Sequence, residues 1–298
     1  MTLPVAAGRL TAVPPFDFAQ ALRFLGGFQP AVGEQVLAVD SLTKAVVIAG
    51  QAVAFRVTAA GAMGEPALDY ALFAGRAVDV AAAEDRIRFW LSLDDDLQPF
   101  YALAEQDAAF APLVRRLYGY HQVKFLTPFE SAVWAVLSQR NPLPQARRLK
   151  QALLDTYGRP VEVDGQTHWA FPEPQTLAAA SPADLEAVIG HRRKAGSLAA
   201  VAAAFSRREE AWLRTAEYEA VEAWLREIRG IGAWSAAFIL LRGLGRMERL
   251  PVDEKRLAAA AARVYNAGRP LAPGQLQALA EPYGPYQGYW AHYLRAAG

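Results

Sequence analysis

Residues 221–257 read VEAWLREIRGIGAWSAAFILLRGLGRMERLPVDEKRL, and this stretch decides how the rest of the chain is understood. Two segments with helical apolar spacing, 221–228 and 233–243, are separated only by Arg229-Gly230-Ile231-Gly232. Glycine at the second and fourth positions of such a turn lets the backbone adopt positive φ and approach a partner closely, while Ile231 can fill the space between the helices. The next helix presents free amides at its N-terminus, a ready site for a phosphate. Read alone, the turn favours an ordinary αα-hairpin whose glycines merely end one helix and start the next.

The chain beyond the hairpin adds chemistry. A glycine-rich connection, RGLGRMER at 242–249, leads into LPVDEKRL, which puts Asp253 21 residues beyond Gly232 at the start of another helix. Taken alone, Asp253 reads as an N-cap. The capping role supports a chemical one, because a carboxylate that accepts helix amides and faces the positive end of the dipole stays ionised. An anion held beside a sugar ring is what breaking a glycosidic bond requires, since positive charge develops at the anomeric carbon.

Outward from this stretch, the composition narrows the possibilities. The 298 residues contain no cysteine, which excludes disulfides, thiolate zinc sites, iron–sulfur clusters and a catalytic thiol. His121, His168, His191 and His292 do not have metal-ligand spacing, and no phosphate-loop or nucleophile-elbow motif is present. No apolar run approaches the ~20 residues of a membrane helix and the start of the chain has no signal-peptide pattern, so a soluble cytoplasmic protein without membrane contact is expected. The net charge of +1 conceals an asymmetry: residues 1–110 hold seven Lys/Arg against 13 Asp/Glu, whereas residues 111–298 hold 24 against 17. The basic part is the candidate for meeting a polyanion.

The hydrophobic period also changes near residue 110. GEQVLAVDSLTKAVVIAGQAVAFRVTAA (33–60) and DRIRFWLSLDDD (85–96) alternate as strands do, flanked by two short helical candidates, DFAQALRFLGGF and LQPFYALAEQD. Residues 1–110 are therefore expected to form an α+β domain with an antiparallel sheet. From residue 111 helical spacing takes over, with segments at 113–118, 128–139, 145–157, 175–180, 182–189, 192–206, 218–228, 233–243, 254–265, 273–281 and 286–296, predicting an all-helical region over 111–298. Thr127-Pro128, Ser181-Pro182 and Ala272-Pro273 place proline at the first helical position.

Hairpin, second helix and Asp at this spacing resemble the helix-hairpin-helix DNA glycosylase superfamily, and within it the bacterial 3-methyladenine-DNA glycosylase II group. PPFDF near the N-terminus, TPFESAVWAVLSQ at 127–139, FPEPQTLAAA at 171–180, RKA at 193–195, LPVDEKRL and YGPYQGYWAHYL at 283–294 carry the likeness in this order. The resemblance implies a small antiparallel-sheet domain followed by two helical subdomains with the active site in the cleft between them. It implies binding of duplex DNA through Gly230, Ile231 and Gly232, flipping of a damaged base, and Asp253 as the catalytic carboxylate. It assigns Trp234, Phe238 and Tyr283 to the base pocket, and Gln139 and Arg140 to the wedge that enters the gap left by the flipped nucleotide. An apolar wedge is usual there, and Phe238 stands where Tyr is more usual. Backbone carbonyls of Arg226, Ile228 and Ile231 are further implied to hold a structural Na+ or K+, with no other cofactor required.

Members that also nick the strand carry a Schiff-base lysine at the second position after the final turn glycine, where this chain has Trp234. Water is then the expected nucleophile and an abasic site the product. Lys255, two residues past Asp253, is expected to face solvent or a phosphate. Trp234 and Phe238 are four residues apart, hence on one helix face, an arrangement shared by core pairs and by a stacking platform for a cationic N-alkylated purine. The expected protein is a monomeric, monofunctional glycosylase of base excision repair. The alternative is a non-catalytic helix-hairpin-helix module that senses damaged DNA.

Overall fold

The computed structural model describes residues 2–250 and 255–296. Strand β1 (Ala6–Thr11) and helix α1 (Phe18–Gly27) precede β2 (Gln35–Leu37), β3 (Ser41–Ile48), β4 (Gln51–Ala59) and β5 (Ala67–Phe73). The five strands form an antiparallel sheet in the order β1-β5-β4-β3-β2. Alternation sorts the strand residues onto two faces. Leu42, Val46, Val53, Phe55, Val57, Leu68 and Leu72 face α1 and α2 (Val80–Leu91), while Ala45, Ala54 and Phe73 face the other way.

Two sequence expectations are corrected here. The stretch 85–96 is not a strand: residues 80–91 form α2, capped by the Asp79 side chain on the Ala82 amide and closed by Ser92 in the left-handed conformation. A window beginning at Asp85 shows alternation, but Ala83, Ile87, Trp90 and Leu91 recur at helical spacing and are the residues buried. The region after 110 is not all-helical either. Helices α3 (Gln98–Glu105), α4 (Ala111–Arg116), α5 (Pro128–Ser138) and α6 (Leu143–Tyr157) are followed by a hairpin, β6 (Arg159–Val163) and β7 (Gln166–Ala170). Asp164 and Gly165 both take positive φ at its tip, as the turn linking strands of right-handed twist requires. Val163 and Ala170 pack on Ala45, Ala54 and Phe73, so the hairpin covers the second face of the sheet. Arg56 ties it there through a 2.9 Å bond to Asp164.

Helices α7 (Pro174–Ala179), α8 (Pro182–Ile189), α9 (Arg192–Phe205), α10 (Glu210–Thr215), α11 (Tyr218–Glu227) and α12 (Ala233–Phe238) complete the central helical core around α5, in which every residue from Pro128 to Leu137 is buried. Thr127 and Ser181 cap α5 and α8 with proline at the first turn. Pro273 does not act this way, because the last turns are arranged as α13 (Lys255–Tyr265), α14 (Gln275–Ala280) and α15 (Gln287–Ala296), with Gly274 as the cap of α14. A third core joins α13–α15 to Leu97, Phe100, Phe110 and Leu117, so residues 97–110 pack with the C-terminal helices rather than with the sheet. The cores are joined by a buried charge cluster. Lys150 Nζ donates to Glu34 at 2.5 Å, to Glu130 at 2.6 Å and to the Pro30 carbonyl at 2.8 Å. Burial disfavours the ammonium, but Glu130 and Glu34 outweigh it and hold the Lys150 pKa above its ordinary value. No described helix is long and apolar enough to cross a membrane, and no described group of three His, Asp or Glu is placed to hold a metal.

Candidate active site and nucleic-acid interface

The hairpin forms as its residues dictate. Helix α11 ends at Glu227, Ile231 turns inward to the central core at 5% exposure, and its amide closes the turn on the Ile228 carbonyl at 3.0 Å. Gly230 has φ +97°, and a Cβ there would lie 2.5 Å from Ser197 Cβ and Oγ on α9. Gly232 is extended rather than at positive φ, and as the N-cap of α12 it offers no side chain to the helix amides. After Phe238 the helix widens into a π turn over Ile239–Gly243, where Gly243 comes so close to Ser131 that a Cβ would lie 2.7 Å from its Cβ.

Around the turn lies an open groove of about 850 Å³ in which Gln139, Arg140, His191, Arg193 and Lys194 meet Gly230–Ser235. Gln139 is committed to the hairpin: its amide nitrogen donates to the Gly230 carbonyl at 2.7 Å and to Ser235 Oγ at 3.0 Å. Arg140 is exposed and stands at φ +55°, unusual for a residue with a β-carbon. Lys194, which sequence reasoning left without a role, holds this corner. Its buried ammonium donates to the carbonyls of Val136, Leu137 and Gln139 at 3.0, 3.1 and 2.7 Å, capping the C-terminus of α5.

Trp234 lines this groove and also a second cavity, of about 400 Å³, behind it. Its ring is 49% exposed and stacks on Phe238 with centroids 5.3 Å apart and planes 19° from parallel. Phe24, Phe28, Tyr120, Arg242, Arg256, His292 and Arg295 complete the walls. Arg242 lies over the rings of Phe24 and Phe28 at 5.0 and 5.4 Å. None of these wall residues was singled out from sequence. The spacing of Phe24 and Phe28, four apart on α1, is a signal in retrospect, but it is also that of a core pair.

Tyr283 is not with Trp234 and Phe238. It is 2% exposed in the third core, its ring 6.0, 5.7 and 6.0 Å from those of Phe100, Phe110 and Trp290, and its hydroxyl donates to Asp107 at 3.0 Å. A ring closed in by three aromatics and a buried-end hydrogen bond has no face left for a base. Asp253 lies outside the described residues; α13 begins two positions after it, with Lys255 exposed.

Residues 133–285, just over half of the chain, match the family described as HhH-GPD superfamily base excision DNA repair protein. Over 210 residues the chain is 29% identical to a DNA-3-methyladenine glycosylase of Bacillus subtilis (strain 168), covering 70% of this chain and 69% of that protein. The solved 3-methyladenine DNA-glycosylase of Archaeoglobus fulgidus has a TM-score of 0.80 at 21% identity and covers 97% of both chains. An 8-oxoguanine glycosylase/lyase of Clostridium acetobutylicum has a TM-score of 0.67 at 15% identity, covering 97% of this chain and 95% of that one. At these identities the two structures speak for the fold. The hairpin, the groove around it and the family match agree, and the chain belongs to the HhH-GPD superfamily of base excision DNA repair proteins.

Proposed function

We propose that this protein is a monofunctional DNA glycosylase that flips an alkylated base out of duplex DNA and hydrolyses its N-glycosidic bond with Asp253, leaving an abasic site. The observation that carries this reading is the double role of Trp234, which forms part of the groove at the hairpin and part of the aromatic cavity behind it. A backbone gripped at Gly230–Ala233 thus lies next to a chamber lined for stacking. In the groove, Arg140 and Arg193 supply positive charge for phosphates. Exposed Arg140, in the groove, is the residue read as the wedge that enters the gap left by a flipped nucleotide, where its planar guanidinium would stack on or hydrogen-bond the unpaired base. In the cavity, the Trp234–Phe238 face takes up the flipped ring, and cation–π attraction favours bases made cationic by N-alkylation.

Such bases are good leaving groups, so the protein need supply little beyond an anion near the sugar and a water. Trp234 occupies the position of the amine that strand-nicking members use, which supports hydrolysis without strand cleavage. The hairpin carbonyls suit a monovalent cation. Helix α11 ends at Glu227, so the carbonyls of its last turn lack intrahelical amides, and Ile228 keeps a second lone pair after accepting from Ile231. Arg226, Ile228 and Ile231 would hold Na+ or K+ with neutral oxygens, and the ion would add positive charge beside a phosphate.

The test incubates the protein with alkylated duplex, as wild type and as Asp253→Asn. Alkali-labile sites are expected with wild type alone, without strand breaks before alkali and without trapping by borohydride. Alkali-labile sites at the wild-type rate with Asp253→Asn would remove the catalytic assignment. Binding to damaged DNA without any alkali-labile sites would favour a non-catalytic damage sensor.

A further inference from the structure

Several exposed arginines of this chain are paired with acids: Arg9, Arg115 and Arg249 bond the carboxylates of Asp69, Glu105 and Glu219. At the flank of the hairpin the pattern is different. Arg192, Arg193 and Arg229 are all exposed, and none of their side chains has an ion-pair, hydrogen-bond or ring partner among the described residues. Glu227, two positions before Arg229, is exposed and pairs with none of them.

Arg229 nevertheless has a defined seat. A Cβ built on Gly196 of α9 would lie 3.7 Å from Cζ, from Nη1 and from Nη2 of Arg229. Equal distances to three atoms of one plane put that plane face-on to the point, so the guanidinium lies flat over the backbone of α9 where no side chain intervenes. Glycine inside a helix is unfavourable, and a long side chain at 196 would occupy the place of the guanidinium. Arg192 and Arg193 stand four and three residues before Gly196, one turn earlier and on either side of it at about 100° per residue. The patch is continuous with the groove at the hairpin, since Arg193 and Gly230, the residue after Arg229, both line it.

Three guanidinium groups gathered without an acid repel one another, and holding one of them flat gives up side-chain freedom for a contact that an exposed surface rewards little. A polyanion accounts for both features. It neutralises the charges, and it meets a donor fork whose face is already supported and whose edge is free to bond two phosphate oxygens.

We propose that Arg229, seated on Gly196 and flanked by Arg192 and Arg193, is a phosphate-binding residue that holds a second backbone phosphate of duplex DNA beside the one at the hairpin amides. It adds a side-chain grip, indifferent to sequence and to damage, where the hairpin otherwise offers backbone alone. The proposal rests on the DNA-binding part of the glycosylase reading and not on its chemistry.

Fluorescence anisotropy measures affinity for undamaged duplex and for duplex with one abasic site, between about 50 and 200 mM salt. The proteins compared are wild type, Arg229→Gln, Arg229→Lys, Gly196→Leu and Arg207→Gln; Arg207 is an exposed arginine past the far end of α9. Each phosphate neutralised releases counterions, so Arg229→Gln should make the dependence of log affinity on log salt shallower by about 0.9 and weaken binding about eightfold at 0.1 M salt, equally on both duplexes. Arg229→Lys keeps the charge but not the plane, so the salt dependence should hold while affinity falls by less. Gly196→Leu fills the seat and leaves Arg229 in place; affinity should fall while the melting temperature does not. Arg207→Gln should change neither affinity nor salt dependence. An unchanged salt dependence in Arg229→Gln, an equal loss in Arg207→Gln, a loss confined to the abasic duplex, or wild-type affinity in Gly196→Leu overturns the proposal, and the glycosylase reading stands wherever wild type still excises an alkylated base. A wild type that does not bind duplex DNA overturns both.

Discussion

Gly230→Ala probes the step on which the DNA-binding reading depends, the close seating of the hairpin turn against α9. Two costs can be worked from the geometry. Gly230 sits at φ +97°, where a residue with a β-carbon is strained by about 1–2 kcal/mol. The new methyl would also lie 2.5 Å from Ser197 Cβ and 3.5 Å from its Cα. Ser197 Cβ is fixed by the helix backbone and cannot rotate away, so the turn or α9 must shift by about an ångström, at about 1–3 kcal/mol for an overpacked contact. The expected loss is therefore about 2–5 kcal/mol. The displaced turn also strains the 2.7 Å bond from Gln139 to the Gly230 carbonyl, so affinity for duplex carrying an abasic site should fall. Urea denaturation measures the first effect and fluorescence anisotropy the second. The decisive comparison repeats the substitution in a Ser197→Gly background, where the clash is gone and only the dihedral strain remains, so the cost should drop to about 1–2 kcal/mol. An identical cost in both backgrounds would refute the steric argument. Unaltered stability and unaltered binding would refute the seating of the turn itself.

Three further outcomes are expected. Lys194→Met removes the donor shared by the carbonyls of Val136, Leu137 and Gln139; leaving buried carbonyls without a partner should cost about 2–4 kcal/mol by chemical denaturation and slow excision, since Arg140 is the next residue. A loss below about 0.5 kcal/mol would contradict this. Trp234→Ala removes a half-exposed ring with one stacked neighbour, so stability should fall by no more than about 1.5 kcal/mol while excision of an alkylated base drops at least about tenfold, a combination unlike that of a core residue. The third concerns pH. Because burial and nearby Arg242 and Arg295 depress the His292 pKa, the unfolded chain takes up this proton below pH ~6.5 and the folded one does not. Stability is thus complete above that pH and is lost as pH falls, by about 1.4 kcal/mol at pH ~5.5. His121 and His168 are depressed in the same direction, so the measurement is the difference in urea midpoints at about pH 7.5 and about pH 5.5 between wild type and His292→Phe. Equal pH sensitivity in the two proteins would contradict the assignment.

The agreement between sequence and structure is best where physics is local. The turn at Gly230–Gly232, the inward Ile231, the capped prolines at 128 and 182, and the strands of 35–59 all arise from glycine geometry, capping and apolar period acting over a few residues. The Asp164-Gly165 turn was legible by the same rules, but strong helical periods on either side obscured it, and nothing local indicated that the hairpin would cover the second face of the sheet.

By itself the sequence determined that an α+β portion precedes helices, that the chain cannot use thiol or disulfide chemistry, and that a hairpin ends in a helix whose amides no side chain caps. Only the tertiary structure decided where aromatic rings go. Trp234 and Phe238 were placed correctly on one helix face, yet whether that face met a core or a cavity depended on α1 and Tyr120, more than 100 residues earlier in the chain, and on α15, which follows α13 and α14. Tyr283 is buried in the third core, where its hydroxyl donates to Asp107, 176 positions earlier, a long-range contact that no local rule indicates. Periodicity says which face of an element is apolar. Which apolar faces close on one another, and which remain apart to leave a chamber, is settled only by the competition among all of them for burial.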